Sequence, residues 1–541
     1  MKSLPAVLAI TLLISCSTST PLDRGMASSR VRESERYFWI EGFGRPLNLL
    51  RVEDARQLHA AWSRALQPDA ALPKHLPRYL EPNDEVKPKD LRRALEFMLP
   101  KLERALDRSQ GGEFRDEDIG ELLQVAEVHR ALELKLEDPV PRKLSLEFGP
   151  PKMLIESGSQ RLLSGKHPAI DAAGADDPAD SSFWTRPKDI SQLDLGIGFG
   201  RKATLAAEVH NGEPCAFHEA KTGYGIHAGF TLECGDKQIK VKFLELRSEP
   251  FATRIFWALG YNVDPVDYVS ELDFTYSPEF FTRINKRKNL TVDLTALGVI
   301  TVHRIQLTHK VDPFTLLKGA KLTDGRWIDA AELKARLIEN PKADLLALEG
   351  SDLNRDFAER IKTLTTVEAQ LQAKSDADRI GPWQWQDFDH PLLRETRGLL
   401  AAAAWLGWYD CRFDNNRLVL VKSASGKTEP KHFITDLGSV LGYTTRWFTF
   451  AYEKPEQMKD TVTAKSFFSG VRIVNYRTLE RNRAFEQATI DDLRWGASWL
   501  NRISDRQIHD AAIGSGFDEA RAKVIVAKLH NRLSHMNEVL Y

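Results

Sequence analysis

The spacing of apolar positions changes character along the 541-residue chain. From 36 to 145 the period is helical: Ala55, Leu58, Trp62 and Leu66 share a face of Val52–Leu66. Leu91, Leu95, Leu99 and Leu102 do the same in Pro88–Asp107, where Pro100 predicts a kink or a break. Asp116–Glu137 is a third helix with charged outer positions. Residues 146–182, rich in Pro, Gly, Ser and Asp, read as a linker. From about Phe183 short strands and turns take over. Cys215–Lys221, Phe230–Cys234 and Gln238–Leu244 read as strands. In the last of these, Ile239, Val241 and Phe243 alternate with Lys240 and Lys242. A glycine-rich turn, Thr222–Gly229, joins the first two strands, and Gly235-Asp236-Lys237 turns between the second and third. Ser248-Glu249-Pro250 opens an amphipathic helix over Glu249–Leu259, with Ser248 as N-cap and Gly260 just past the end. Strands follow at Tyr268–Thr275 and Val299–Leu307, and helices at Ala330–Glu339 and Thr365–Lys374.

The last third is organised around one segment. Pro391–Trp408 is hydrophobic nearly all round, which predicts a buried helix. It leads into a polar loop holding Asp410, Asp414, Asn415 and Asn416. A strand, Arg417–Val421, comes next, and a second strand-like piece, His432–Thr435, ends on Asp436-Leu437-Gly438. After Gly442 the pattern is irregular to about Thr489. The chain closes with helices at Ile490–Ile503, Asp505–Ile513 (Ser504 and Gln507 forming a capping box) and Asp518–Leu540. Trp383, Trp385, Phe388, Asp389 and His390 form an aromatic, acidic patch that reads as core. Asp194–Gly200 is glycine-rich, but no helix clearly follows, so it reads as a turn and not as a dinucleotide fingerprint.

Composition narrows the classes. With 42% hydrophobic and 28% charged residues the chain can bury a sizeable core. A formal net charge of −1 and no dense basic run argue against a nucleic-acid surface. At the N-terminus, Lys2 precedes an apolar run, Leu4–Ile14, too short to span a bilayer. The run ends on Leu13-Ile14-Ser15-Cys16, which resembles the lipobox of bacterial lipoproteins. That resemblance implies cleavage of residues 1–15, a lipid on Cys16, and residues 16–35 as a flexible tether. It implies a chain anchored to a membrane in the cell envelope, outside the cytoplasm. Three cysteines follow Cys16: Cys215, Cys234 and Cys411. None has metal spacing. In an oxidising compartment one pair can bridge, Cys215–Cys234 being nearest in sequence, and the odd count leaves at least one thiol free or pairing between chains. Cys411 has no evident His partner and reads as a structural thiol.

Two acidic side chains and an Asn at loop ends suit a hard cation, which takes several oxygen ligands. Phosphoryl transfer needs charge neutralised and a nucleophile positioned. A strand Lys holds phosphates, an acid on the next helix steadies that Lys, an Asp orients the acceptor hydroxyl, and an Asn and a second Asp hold metal. The chain offers Lys242, Glu249, Asp410, Asn415 and Asp436 in that order, with Gly223, Gly225 and Gly229 between the first two strands, where backbone N–H groups can meet phosphate oxygens. Each motif alone is common; their order and context give them weight. The bland reading of Asp410, Asn415 and Asp436-Leu-Gly is turn chemistry, and that of Lys242 an outward-facing strand residue.

The arrangement resembles the protein-kinase-like superfamily, most closely its atypical bacterial branches, the HipA-like and CotH-like kinases. Lys242 followed by Ser248-Glu249-Pro250 and a helix ending in Leu259-Gly260 is similar to the HipA-like small lobe. The resemblance covers roughly 183–540, with strong motifs at 223–260 and 405–442. It implies an α+β, two-lobed kinase-like fold: a small β-meander lobe with an insertion over 183–389 and a helical large lobe over 390–541, behind the N-terminal helical region at 36–145. By motif position it implies Lys242 on nucleotide phosphates with Glu249 as partner, Asp410 as the catalytic residue, and Asn415 and Asp436 as ligands to Mg or Mn with ATP as donor. Asn416 or Asp414 can take the part given to Asn415. The chain departs from the pattern in three places. The glycine turn is Gly-x-Gly-x3-Gly, Trp408-Tyr409 precede Asp410 where His-Arg is usual, and Glu249 follows Lys242 by only seven residues. The acceptor, a protein or a small molecule, is not implied. ATP is scarce outside the cytoplasm, so the rival expectations are a catalytically inactive pseudokinase-like protein, or a structural envelope lipoprotein, that binds a protein partner.

Overall fold

A computed structural model describes residues 177–541, apart from 211–214, 221–227, 236, 286–290, 293–301, 304–309, 374–377, 387–389, 424, 445–449, 467–469 and 481. N-terminal to these it describes 31–33, 37–40, 47–51, 88–111, 159–161 and scattered positions between 59 and 131. The lipobox with Cys16 and the glycines Gly223 and Gly225 lie outside the described residues, as do Phe388 and Asp389.

The N-terminal region is not purely helical. Val31–Glu33, Tyr37–Ile40 and Leu47–Arg51 form a three-stranded antiparallel sheet, which overlaps both the expected tether and the expected helical region. The aromatic and branched run Tyr37-Phe-Trp-Ile40 favours a strand over a helix. The helix Pro88–Gly111 forms as its apolar stripe predicts, and it continues through Pro100. Ser159–Arg161, inside the expected linker, is a strand that pairs with Gly470–Val474, itself paired with Thr463–Ser466; the stretch after Gly442 is therefore partly sheet.

The middle of the chain builds a nine-stranded mixed sheet. Its strands are β1 (Cys215–Ala220), β2 (Gly229–Cys234), β3 (Lys237–Lys242), β4 (Val266–Val269), β5 (Asp273–Thr275), β6 (Leu317–Leu322), β7 (Trp327–Asp329), β8 (Ile361–Thr366) and β9 (Ala369–Ala373). The spatial order is β7-β6-β8-β5-β1-β2-β3-β9-β4, antiparallel throughout except for β1 beside β5. The helix expected at Thr365–Lys374 is instead the β8–β9 turn and strand β9. Ala369, Leu371 and Ala373 alternate with Gln370 and Gln372, a period of two that overrides helix propensity when neighbouring strands pair on both sides. A cross-strand disulfide joins Cys215 to Cys234. One face of the sheet is filled by Phe230, Phe274 and Phe280, edge or tilted at 5.3–5.4 Å between ring centres, with Leu232, Ile239, Val241, Leu364 and Leu371.

Helix α1 (Ser248–Ala258) follows β3, and its apolar residues Phe251, Ala252, Ile255 and Phe256 join a second, separate core. That core belongs to α2 (Arg394–Leu406), α3 (Ile490–Leu500), α4 (Asp505–Gly514) and α5 (Glu519–Leu540). Segments around Phe183–Leu195 and Ile380–Trp385 also pack into it, so the boundary at 389/390 does not separate the two cores. Every residue of α2 is buried, including Arg394, Glu395 and Arg397. Burial of a guanidinium is tolerated because Arg397 meets Asp492 of α3 with two bonds at 2.6 and 2.9 Å. The helices α2 and α3 approach closely at Gly398 and Gly496; a Cβ on Gly398 would lie 2.3 Å from the Trp495 ring. The last carbonyls of α2, those of Ala404 and Trp405, accept hydrogen bonds from Arg532 of α5 at 2.5 and 2.8 Å. Gly407 then closes the helix at φ 72°. No helix of the described residues is long and apolar enough to cross a membrane.

Candidate functional site

Lys242 ends β3 with Gly229 of β2 opposite it on one side and Gln370 of β9 on the other. Its side chain is buried and not outward-facing. Its ammonium donates to both oxygens of Glu249, at 2.8 and 3.1 Å. Glu249 lies in the first turn of α1 and is fully buried. Gln370 adds a third donor to the same carboxylate, at 2.7 Å, while also donating to the Leu244 carbonyl at 3.0 Å. Three hydrogen bonds, two of them from a cation, thus satisfy this buried carboxylate. The start of α1 is held from elsewhere. Ser248 is the first residue of the helix and not its cap. The backbone N–H groups of Arg247 and Ser248 donate to Glu453 at 2.6 and 2.8 Å, and the Ser248 hydroxyl donates to the Gly438 carbonyl at 2.5 Å.

The same ammonium reaches 3.2 Å to Asp436, a residue 194 positions further along the chain. Asp436 follows β12 (Thr428–Ile434), which forms a hairpin with β11 (Asn416–Lys422), itself paired on its other side with β10 (Asp378–Gly381). Its backbone takes φ 58°, a conformation that costs about 1–3 kcal/mol at a non-glycine residue. Glu245 also sits at φ 54°. Gly438 explains why this turn needs glycine: a Cβ there would meet the Glu245 carboxylate at 2.2 Å. One carboxylate oxygen from each of Glu245, Glu249 and Asp436 lies within 4.8 Å of the others, and Lys242 pairs with the last two of these residues.

Asp410 follows α2 on a loop tied to the Asp436 turn. Its backbone N–H donates to the Ser439 hydroxyl at 3.1 Å, and the Tyr409 N–H donates to the Ser439 carbonyl at 3.4 Å. Asn415 donates through its side-chain amide to the Asp410 carbonyl at 3.1 Å and accepts from the Thr435 hydroxyl through its own backbone carbonyl. Asn416, in contrast, is fully buried and donates to the Trp383 carbonyl at 3.2 Å, which gives it a packing part. Cys411 is a buried free thiol that donates to the Trp408 carbonyl at 3.3 Å.

The charges explain the ionisation behaviour. Burial alone would lower the pKa of Lys242; Glu249 and Asp436 outweigh it and raise it well above the ordinary range. Burial, then Asp436 and Glu249, push Glu245 well above the usual carboxylate range, with Asp410 adding to the effect. Glu245 thus shares the field of Asp410, whose loop is tied to the Asp436 turn through Ser439. Burial, reinforced by Glu245 and Asp410, likewise raises the phenol of Tyr409. The three carboxyl groups of Glu245, Glu249 and Asp436 beside one ammonium make an oxygen-rich site of the kind that could hold a hard divalent cation.

The structure therefore brings together Lys242, Glu249, Gly229 and Asp436, and links Asp410 and Asn415 to the same turn. Glu245, Gln370, Ser439 and Glu453 are the participants that sequence reasoning missed. Glu245 lies three residues from Lys242, yet a lone Glu before a helix carries no signal; Gln370 was hidden by reading β9 as a helix. Compared with protein-family models, with curated proteins and with solved structures, the chain shows no match.

Proposed function

We propose that the cleft is the donor site of a two-lobed, protein-kinase-like transferase, with the β-sheet layer as small lobe and the α2–α5 body as large lobe. The observation that carries this reading is Lys242, held between Glu249 of the following helix and Asp436 of the Asp-Leu-Gly turn. An ammonium so placed is fixed in position and charged, as a phosphate contact requires. Glu249 and Gln370 orient it; Gly229, directly across from it, leaves the backbone open to a close approach.

The residues present fit a magnesium or manganese ion. Asp436 and Glu245, with Asn415 nearby on the loop, are the oxygen donors that would hold it, since Glu249 is already engaged by Lys242 and Gln370. Such an ion supplies charge neutralisation on phosphoryl oxygens. Asp410 is the residue to orient an acceptor hydroxyl and take its proton; its backbone is tied on both sides, by Ser439 and Asn415, so the carboxylate is presented from a fixed loop. Phosphoryl and nucleotidyl transfer to a hydroxyl use the same donor site. The Cys215–Cys234 bridge supports a chain that works in an oxidising compartment, consistent with a lipid anchor at Cys16 in the cell envelope.

The test uses the full chain with ATP labelled on the γ- or α-phosphate, Mg or Mn, and a panel of envelope proteins and small hydroxyl compounds. Transfer lost in Asp410→Asn and Asp436→Asn supports an enzyme. Metal-dependent nucleotide binding without transfer makes the protein pseudokinase-like. Absence of both refutes the donor site.

A further inference from the structure

A second cluster of metal-ligating side chains lies outside the cleft. Glu127, from the N-terminal region, meets His390 and His432 from the C-terminal part, 263 and 305 positions away. His390 opens the short turn ahead of α2, and His432 sits within β12. Both imidazoles are buried, and one ligand atom from each of the three residues lies within 4.8 Å of the others. Phe183 stacks on His432 at 3.7 Å with 7° between the planes, and Trp383 meets both rings edge-on at 5.3 and 5.6 Å. The rings are therefore locked by packing.

The proton arrangement is informative. Nδ1 of His390 is 2.6 Å from the Gln384 carbonyl, an oxygen that only accepts, so Nδ1 carries the proton. In the neutral ring, Nε2 then presents its lone pair, and it is aimed at Glu127 Oε1 at 3.1 Å. Nε2 of His432 contacts the same carboxylate oxygen. Two imidazole nitrogens thus converge on one carboxylate inside an aromatic enclosure. Either Nε2 of each ring carries a proton towards Glu127, which makes His390 cationic while His432 can stay neutral, or a cation lies among the three. An imidazole whose far nitrogen donates to a backbone carbonyl is the usual posture of a metal-bound histidine. Two nitrogens and one carboxylate select a zinc-type ion over the hard cation of the cleft.

We propose that Glu127, His390 and His432 form a zinc-type site that clasps the N-terminal region to the α2–β12 body. The ion takes the two Nε2 lone pairs and a Glu127 oxygen, with a water completing the tetrahedron. The site is independent of the donor cleft and does not rest on the transferase reading.

The test uses the full chain, stripped with a chelator, and cobalt as a spectroscopic probe. About one equivalent of Co2+ is expected to give the visible absorption of a tetrahedral nitrogen–oxygen site, displaced stoichiometrically by Zn2+. Glu127→Gln and His432→Gln each weaken binding by at least about 100-fold, beyond the loss that outer-shell changes bring. Asp436→Asn, in the cleft, leaves the spectrum intact. The proposal is overturned if the folded wild-type chain takes up neither Co2+ nor Zn2+ at about 100 µM, far above the affinity of structural zinc sites. It is equally overturned if the spectrum survives in both ligand variants or disappears in Asp436→Asn. Because the first arm is read on the wild type, a variant that fails to fold does not shield the proposal.

Discussion

Replacing Lys242 by Met keeps the apolar stem out to Cε and removes the ammonium that pairs with Glu249 and Asp436. The 2.8 Å contact with Glu249 corresponds to about 6 kcal/mol of Coulomb attraction at an effective dielectric of about 20. Desolvation of two buried ions offsets part of that, and losing one partner of a buried pair typically costs about 3–5 kcal/mol. Asp436 adds less, because its side chain is 45% exposed and solvent screens it. Lys242→Met is therefore expected to lose about 3 kcal/mol, and Glu249→Gln, which leaves the ammonium facing Asp436 and Gln370 facing a neutral amide, a similar amount. In a double-mutant cycle the pair is expected to be less damaging than the sum by about 2 kcal/mol. Urea unfolding followed by circular dichroism and tryptophan fluorescence measures it, the two probes checking that one transition is being compared. Additivity within about 0.5 kcal/mol would mean that the two groups do not act on each other, contrary to their 2.8 Å contact.

Three further outcomes follow from the geometry. Gly438→Ala places a methyl 2.2 Å from the Glu245 carboxylate and is expected to destabilise by about 1–3 kcal/mol while weakening any cation binding in the cleft; an unchanged melting curve contradicts the packing described. Reducing the Cys215–Cys234 bridge, which closes 19 positions, is expected to cost about 3 kcal/mol, read as a lower melting temperature with reductant that Cys215→Ser reproduces without it. In alkali, Tyr276 and Tyr452 are pushed by burial up to about 12, with Glu245 and Glu453 adding to the shift at Tyr452. Raised phenol pKa values stabilise the fold below pH about 10, and that contribution is lost as pH climbs towards about 12. Tyrosinate absorbance should rise in two phases, the second coinciding with unfolding; a single phase centred near pH 10 would contradict it.

Much of the site was legible because local chemistry forced it. Ser248-Glu249-Pro250 before an apolar run fixes a helix start, and that start sets Glu249 one turn from a strand-ending Lys242. The apolar face of α2, with Gly407 at its end, predicts the delivery of Asp410. The alternation of Ile239, Val241 and Phe243 predicts β3. What was illegible depended on partners distant in sequence. Glu453 caps α1 across more than two hundred positions, which no local pattern records. Ala369–Ala373 is too short to separate helix from strand by periodicity, and only its neighbours β3 and β4 decide. The Asp436 turn is recognisable as Asp-Leu-Gly, but that Gly438 is required by Glu245 follows only from their contact. The helical period at 36–145 missed the strands at Tyr37–Ile40 and Leu47–Arg51, because helical neighbours downstream set the expectation.

The proposed donor-nucleotide site at Lys242, Glu249 and Asp436 is open to direct measurement. Calorimetric titration of the full chain with ATP in the presence of Mg2+ or Mn2+ addresses it most directly. Saturable, metal-dependent binding is expected, abolished in Asp436→Asn and weakened in Lys242→Met. A folded wild-type chain that binds no nucleoside triphosphate with either metal would contradict it.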